Sequence, residues 1–215
     1  MRIFLSILIL VFSLQSWTKA DDIKSITIEG ISIGDSALDY FSEEDIIKNS
    51  KDYYENKSFV GVQMDGYSYF KTYDAVDFDY KAGDKNYIIQ GLYGVLYYDD
   101  INKCEAQLDK IVNDISPILI DAHDIQKSKV IHDKDPTGKS YIIEKQWIFQ
   151  NGDRILVQCY DMNEELGYVG NHLTVSIRTK EYHNFLRKIA YKTLARGQWF
   201  DPTSHYQLTY NFSQL

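Results

Sequence analysis

The placement of two cysteines constrains this chain more than any other feature. Cys104 lies in the stretch Ile101 to Ile115, where Ile101, Cys104, Leu108, Ile111, Val112 and Ile115 recur at three-and-four spacing. That spacing makes one apolar stripe along a helix. Cys159 ends the run Ile155, Val157, Cys159, which alternates as a half-buried strand does. Each cysteine therefore sits on the buried side of its element. A Cys104–Cys159 bond would lay the helix on the strand and stabilise the fold by roughly 4 kcal/mol in chain-entropy terms. The competing reading is a pair of small buried hydrophobes.

The N-terminus favours the bond. Met1 and Arg2 give a short positive start, Ile3 to Leu14 is apolar, and Thr18-Lys19-Ala20 offers small residues for cleavage. This is the form of a secretory signal peptide over residues 1–20. The apolar run is shorter than the roughly 20 residues of an ordinary membrane span, and an uncleaved anchor is the alternative. Export to the periplasm or the medium puts both thiols where oxidation is normal. The expected mature chain, 21–215, is long enough for one exported domain with a core of its own. It has no further stretch apolar enough to span a bilayer. The formal charge is -8, and loss of Arg2 and Lys19 makes it -10. Phosphate backbones and anionic lipid repel such a chain, so nucleic acid is not an expected partner. A local basic patch would break that argument.

Along the chain, Lys24 to Ile33 alternates around isoleucines and reads as a strand or extended entry, and Gly34-Asp35-Ser36 turns into a short helical turn at Ala37 to Phe41. Ser42 is an N-cap, and Glu43, Glu44 and Asp45 suit the first turn of a helix. Strands are expected at Phe59 to Met64, at Ala75 to Tyr80 and at Tyr87 to Tyr98. In the second of these, Val76, Phe78 and Tyr80 face inward and Asp77 and Asp79 outward. Gly91 and Gly94 imply a bend or close packing in the third. After the cysteine helix and a polar stretch come strands at Tyr141 to Phe149, Asp153 to Tyr160 and His172 to Arg178. Asn151-Gly152 marks the first hairpin. Thr179 caps a second helix with Tyr182, Phe185, Leu186 and Ile189 on its inner side. An aromatic alternating tail, Tyr206 to Phe212, reads as a closing edge strand.

Runs of strands ending in a helix predict α+β architecture. The expectation is antiparallel sheet with two amphipathic helices packed on one face, divisible into strand-strand-strand-helix halves at 21–116 and 141–215. The stretch IEGISIGDSALDYFSEEDI, Ile28 to Ile46, resembles the opening of a group of small exported bacterial proteins of unknown function. The resemblance continues loosely through YIIQGLYGVLYYDDINKC and the cysteine strand. It implies an exported location and a shared fold, and no activity.

Few constellations carry chemistry. Asp133, Asp135 and Glu144 fall at positions 1, 3 and 12 of a calcium loop, with Gly138 at position 6. Thr137 stands where that loop needs Asp or Asn, Ser140 stands where it needs an apolar residue, and the flanks read as strands. An Asp-Pro-Thr-Gly turn is the favoured reading. Gly138-Lys139-Ser140 lacks the leading glycine of a phosphate loop. His172, Thr174, Ser176 and Arg178 form one polar side of a strand, expected to be solvated. Ser176 and His172 are four residues apart, about 13 Å along a strand, too far for a nucleophile and its base. No cofactor signature is present. Tyr67, Tyr69, Phe70 and Tyr73 are the aromatic cluster expected to be exposed. These features predict a non-enzymatic binding or accessory domain for a peptide, protein or small molecule. The alternatives are a small periplasmic hydrolase assembled in three dimensions, and a calcium-binding protein.

Overall fold

A computed structural model describes residues 22–54, 56–68, 70–132, 135, 137–163 and 170–190. The expected signal peptide and the aromatic tail lie outside these residues. Eight strands form one antiparallel sheet: β1 (Ser50–Lys51), β2 (Phe59–Asp65), β3 (Ala75–Lys81), β4 (Ile89–Tyr97), β5 (His123–Ile131), β6 (Tyr141–Ile148), β7 (Arg154–Asp161) and β8 (His172–Arg178). Their order is β1-β2-β3-β4-β8-β7-β6-β5. Among the described residues three α-helices accompany it: α1 (Glu43–Asn49), α2 (Ile101–Ile115) and α3 (Lys180–Phe185).

Register divides the sheet into two unlike faces. Residues directly opposite on antiparallel neighbours share a face. One row reads Val62, Phe78, Leu92, Ile177, Ile155, Trp147, and another ends in Leu173, Cys159 and Ile143. This apolar face holds the main core. Helix α2 covers its second half. Asp100 caps the helix by accepting from the Asn102 N–H, and Cys104 and Leu108 are buried beneath it. Cys104 and Cys159 are disulfide-bonded, with Cα atoms 5.9 Å apart.

The N-terminal module belongs to the same core, through Ile23, Ile28, Ile31, Ile33, Ala37, Phe41 and Ile46. Phe41 stacks on Phe78 at 5.7 Å between ring centres. Lys24 to Ile33 forms a 3-10 turn at Ile23–Ser25 and an Ile28–Ile31 bridge, where a strand or extended entry was expected. Ser42 caps α1 as expected, accepting from the Asp45 N–H at 3.1 Å. The Glu29 carboxylate accepts three backbone N–H groups, from Lys71, Thr72 and Tyr73. It thereby pins the loop after β2 to the N-terminal module. Tyr67, Phe70 and Tyr73 consequently pack against the core and do not form an exposed cluster; Tyr69 lies outside the described residues. Tyr73 fills the space beside Gly94 that a side chain there would need.

The expected α+β class with two helices on one face is corrected. The molecule is dominated by a single sheet, and β4 pairs β8 along Gly91–Tyr97, fusing the two expected halves. Helix α3 lies on the opposite face from α2. Its Tyr182 abuts Gly91, which pairs with Arg178, five residues and therefore one face away from Leu173. The polar stretch after Pro117 is strand β5, a two-sided polar edge without the alternation that marks a half-buried strand. Ile189 is 45% exposed and not inward. The chain passes from α-helix into a π-turn at Leu186–Ala190, which underwinds the stripe expected to run from Phe185.

Candidate functional site

The face opposite the disulfide is polar and yet buried. Its rows read Asp79, Gly91, Arg178, Arg154; then Gln63, Asp77, Tyr93, Ser176, Leu156, Gln146; then Ala75, Val95, Thr174, Gln158, Glu144. Asp77 and Asp79, expected to point outward into solvent, are 8% and 4% exposed. The expected solvated row on β8 is buried as well: His172, Thr174, Ser176 and Arg178 are each at or below 1%. Alternation places a residue on a face. It does not say whether that face meets water.

Asp79 is the centre of this face. Tyr54 OH donates to its Oδ1 at 2.9 Å, and Tyr93 OH donates to Tyr182 OH at 2.9 Å. Tyr54 and Tyr182 hydroxyls are 2.7 Å apart. A phenol has one proton. With the Tyr54 proton on Asp79, Tyr182 donates to Tyr54, and a single direction runs Tyr93, Tyr182, Tyr54, Asp79. Burial raises the Asp79 carboxyl to about 7, against the polar influence of the neighbouring tyrosine hydroxyls and the nearby Arg178 charge. Burial and then Asp79 push Tyr182 well above the ordinary phenol range. Arg178 lies over the Tyr93 ring at 5.3 Å. Tyr54, Phe59, Tyr93, Tyr182, Phe185 and Leu186 form a second apolar cluster around these hydroxyls. Asp79 therefore titrates near neutrality but is sealed beneath α3.

Farther along the face, Gln158 Nε2 donates to Glu144 at 3.0 Å and Arg154 donates to Gln146 at 2.9 Å. Burial raises the Glu144 carboxyl, and hydrogen bonding to Gln158 offsets part of that rise. His172 donates through Nδ1 to the Gly170 carbonyl at 3.0 Å and stacks on Tyr160 at 4.4 Å. Burial lowers it to about 4. His183 is lowered to about 2 by burial and by the guanidinium charges of Arg178, Arg154 and Arg187. Its ring nitrogens and the Ser176 and Thr174 hydroxyls make no hydrogen bond among the described residues. Among the described residues no hydrogen-bonded serine–histidine pair is formed on this face, and both histidines are held neutral at pH 7.

The candidate calcium ligands do not come together as a site. Asp133 lies outside the described residues. Asp135 Oδ1 accepts from Thr137 N–H and Oγ1, and its Oδ2 accepts from Ser140 N–H and Oγ. Burial would raise its pKa, but those hydrogen bonds outweigh burial and lower it below the usual carboxylate range. Glu144 belongs instead to the β6 row with Gln158. An open cleft lined by Asp22, Asp121, Phe149, Gln150 and Asn151 contains none of the groups on the polar face.

The outer edge of β5 is the other candidate site. Among the described residues it ends the strand order, and seven of its nine residues are exposed, with Ile125 and Val130 partly covered. Sequence reasoning named the β8 row of the first site but expected it to be solvated, and passed over the second. Gly91 and the inward Tyr182 were visible signals of the first. The second had no apolar period to reveal it. No family model, curated protein or solved structure matches the chain.

Proposed function

We propose that this chain is an exported binding or accessory domain with no catalytic chemistry of its own. The observation that carries this reading is the state of the polar face. Asp79, whose carboxyl burial raises to about 7, is sealed by Tyr54, Tyr182 and α3. A general base must reach the proton it takes, and His172 and His183 are both buried and weakly basic. Export is supported by the Cys104–Cys159 bond, which belongs to an oxidising compartment, and by the leader-like residues 1–20. Among the described residues no helix is long and apolar enough to cross a membrane. The partner class is a peptide, protein or small molecule, delivered in the periplasm or the medium.

The test is a hydrolysis panel on the exported protein with ester, peptide, glycoside and phosphoester reporters. The expected result is no turnover beyond that of His172→Gln and Asp79→Asn variants. Turnover lost in either variant would replace the binding reading with the hydrolase.

A further inference from the structure

We propose that the outer edge of β5 receives an extended acidic segment of a partner protein by strand addition. The proposal rests on the binding reading and names its surface and the chemistry of its partner. An edge strand presents a row of backbone N–H and C=O groups without a neighbour, and a guest strand can pair with them. Strand β5 is nine residues long, about 30 Å at the usual rise. The opposite edge offers the two residues of β1.

Side chains along β5 select the guest. Lys129 pairs across to Ile143, which puts it on the α2 side of the sheet. Its Nζ sits 3.2 Å over the Tyr141 ring centre, and no carboxylate faces it among the described residues. Lys127 reaches Asp109 of α2 at 2.6 Å. Asp124, the one acid on the strand, is held by Lys145. Two residues beyond Lys129 on the same side, Ile131 is 55% exposed. A guest strand with an acidic side chain toward Lys129 and an apolar one toward Ile131 matches this edge.

Lysines and a bulge, here between Ile125 and Ser128, are also how natural sheets guard an edge. Such a guard rejects basic strands and leaves acidic ones favoured. It also disfavours a second copy of this chain. Antiparallel self-pairing about the middle of β5 sets Lys127 of one copy opposite Lys127 of the other.

The experiment uses the full chain and two nonapeptide probes, one alternating Glu and Val and one alternating Lys and Val. Affinity is measured with each, and amide hydrogen exchange is followed with and without peptide. The Glu peptide should bind about tenfold or more tightly than the Lys peptide, weaken with salt, and slow exchange at β5. Lys127→Glu/Lys129→Glu should reverse the preference, and Lys129→Gln should weaken the Glu peptide without reversing it. Equal binding of both peptides, protection elsewhere than β5, or dimerisation through β5 in the absence of peptide would overturn the proposal. None of these outcomes produces hydrolysis, so the binding reading falls only with the reporter panel.

Discussion

The Tyr182 ring lies against Gly91, in the space that any side chain at that position of β4 would occupy. The glycine lets an aromatic ring reach the sheet surface from α3. Its hydroxyl then meets Tyr54 and Tyr93 beside Asp79. One missing Cβ thus sets both the docking of α3 and the order of the hydroxyl chain.

Gly91→Ala should displace Tyr182 and loosen α3. The expected loss is about 1–3 kcal/mol, the usual range for overpacking a core, read from denaturant midpoints. Tyr182→Phe keeps the ring and should cost less. An Ala variant as stable as the parent would contradict the close contact.

The polar face contains opposed responses to pH. Asp79 has a folded pKa raised to about 7 from 3.8. Its contribution therefore favours the fold at low pH and is lost as pH rises through that window. His172 is lowered from 6.5 to about 4, so its contribution is full above 6.5 and lost as pH falls through that range. Asp79→Asn should raise stability at pH 8, by up to about 4 kcal/mol on linkage grounds, and change it little near pH 4. His172→Gln should instead blunt the loss between pH 6 and pH 4. Unfolding curves at these pH values measure both effects.

Cys159→Ser should lower stability by a few kcal/mol, since the bond closes a separation of 55 residues. Reductant should lower the parent's midpoint and have little further effect on the variant. Two free thiols by mass analysis of the non-reduced protein would count against the bond.

Glu29→Gln should free the loop at residues 71–73. Burial alone would raise the Glu29 pKa, but the N–H groups of Lys71, Thr72 and Tyr73 outweigh it and hold the carboxylate low. Its contribution is present above the ordinary Glu range and lost in acid. The expected cost at pH 7 is about 1–2 kcal/mol, with faster amide exchange at Thr72 and Tyr73.

Elements with a strong period were legible in the residues. Helix α2 runs over Ile101–Ile115 and its disulfide joins the predicted cysteines, because stripe and alternation each marked a buried side. What covers a face was not legible. Asp77 and Asp79 alternate with apolar neighbours as solvent-facing residues do, and only tertiary contacts from α3 and Tyr54 bury Asp79. Strand β5 lacked any signal because an edge exposed on both faces needs no apolar side. The Glu29 carboxylate, within the stretch Ile28 to Ile46, holds a loop more than forty residues away, which no local spacing encodes.

The pairing of β4 with β8 sets an order of events on the chain as it is made. Tyr97 meets His172, so the β4 edge must wait for residues synthesised far later. At ordinary synthesis rates that wait is seconds, during which a strand apolar on both faces stands open. Cys159 is completed before β8 begins, and Cys104 long before either. In an oxidising compartment the Cys104–Cys159 bond needs no residue of β8, so it can form while β4 is still bare. It would moor α2 to β7 and keep β7, the strand that will flank β8, near its final place.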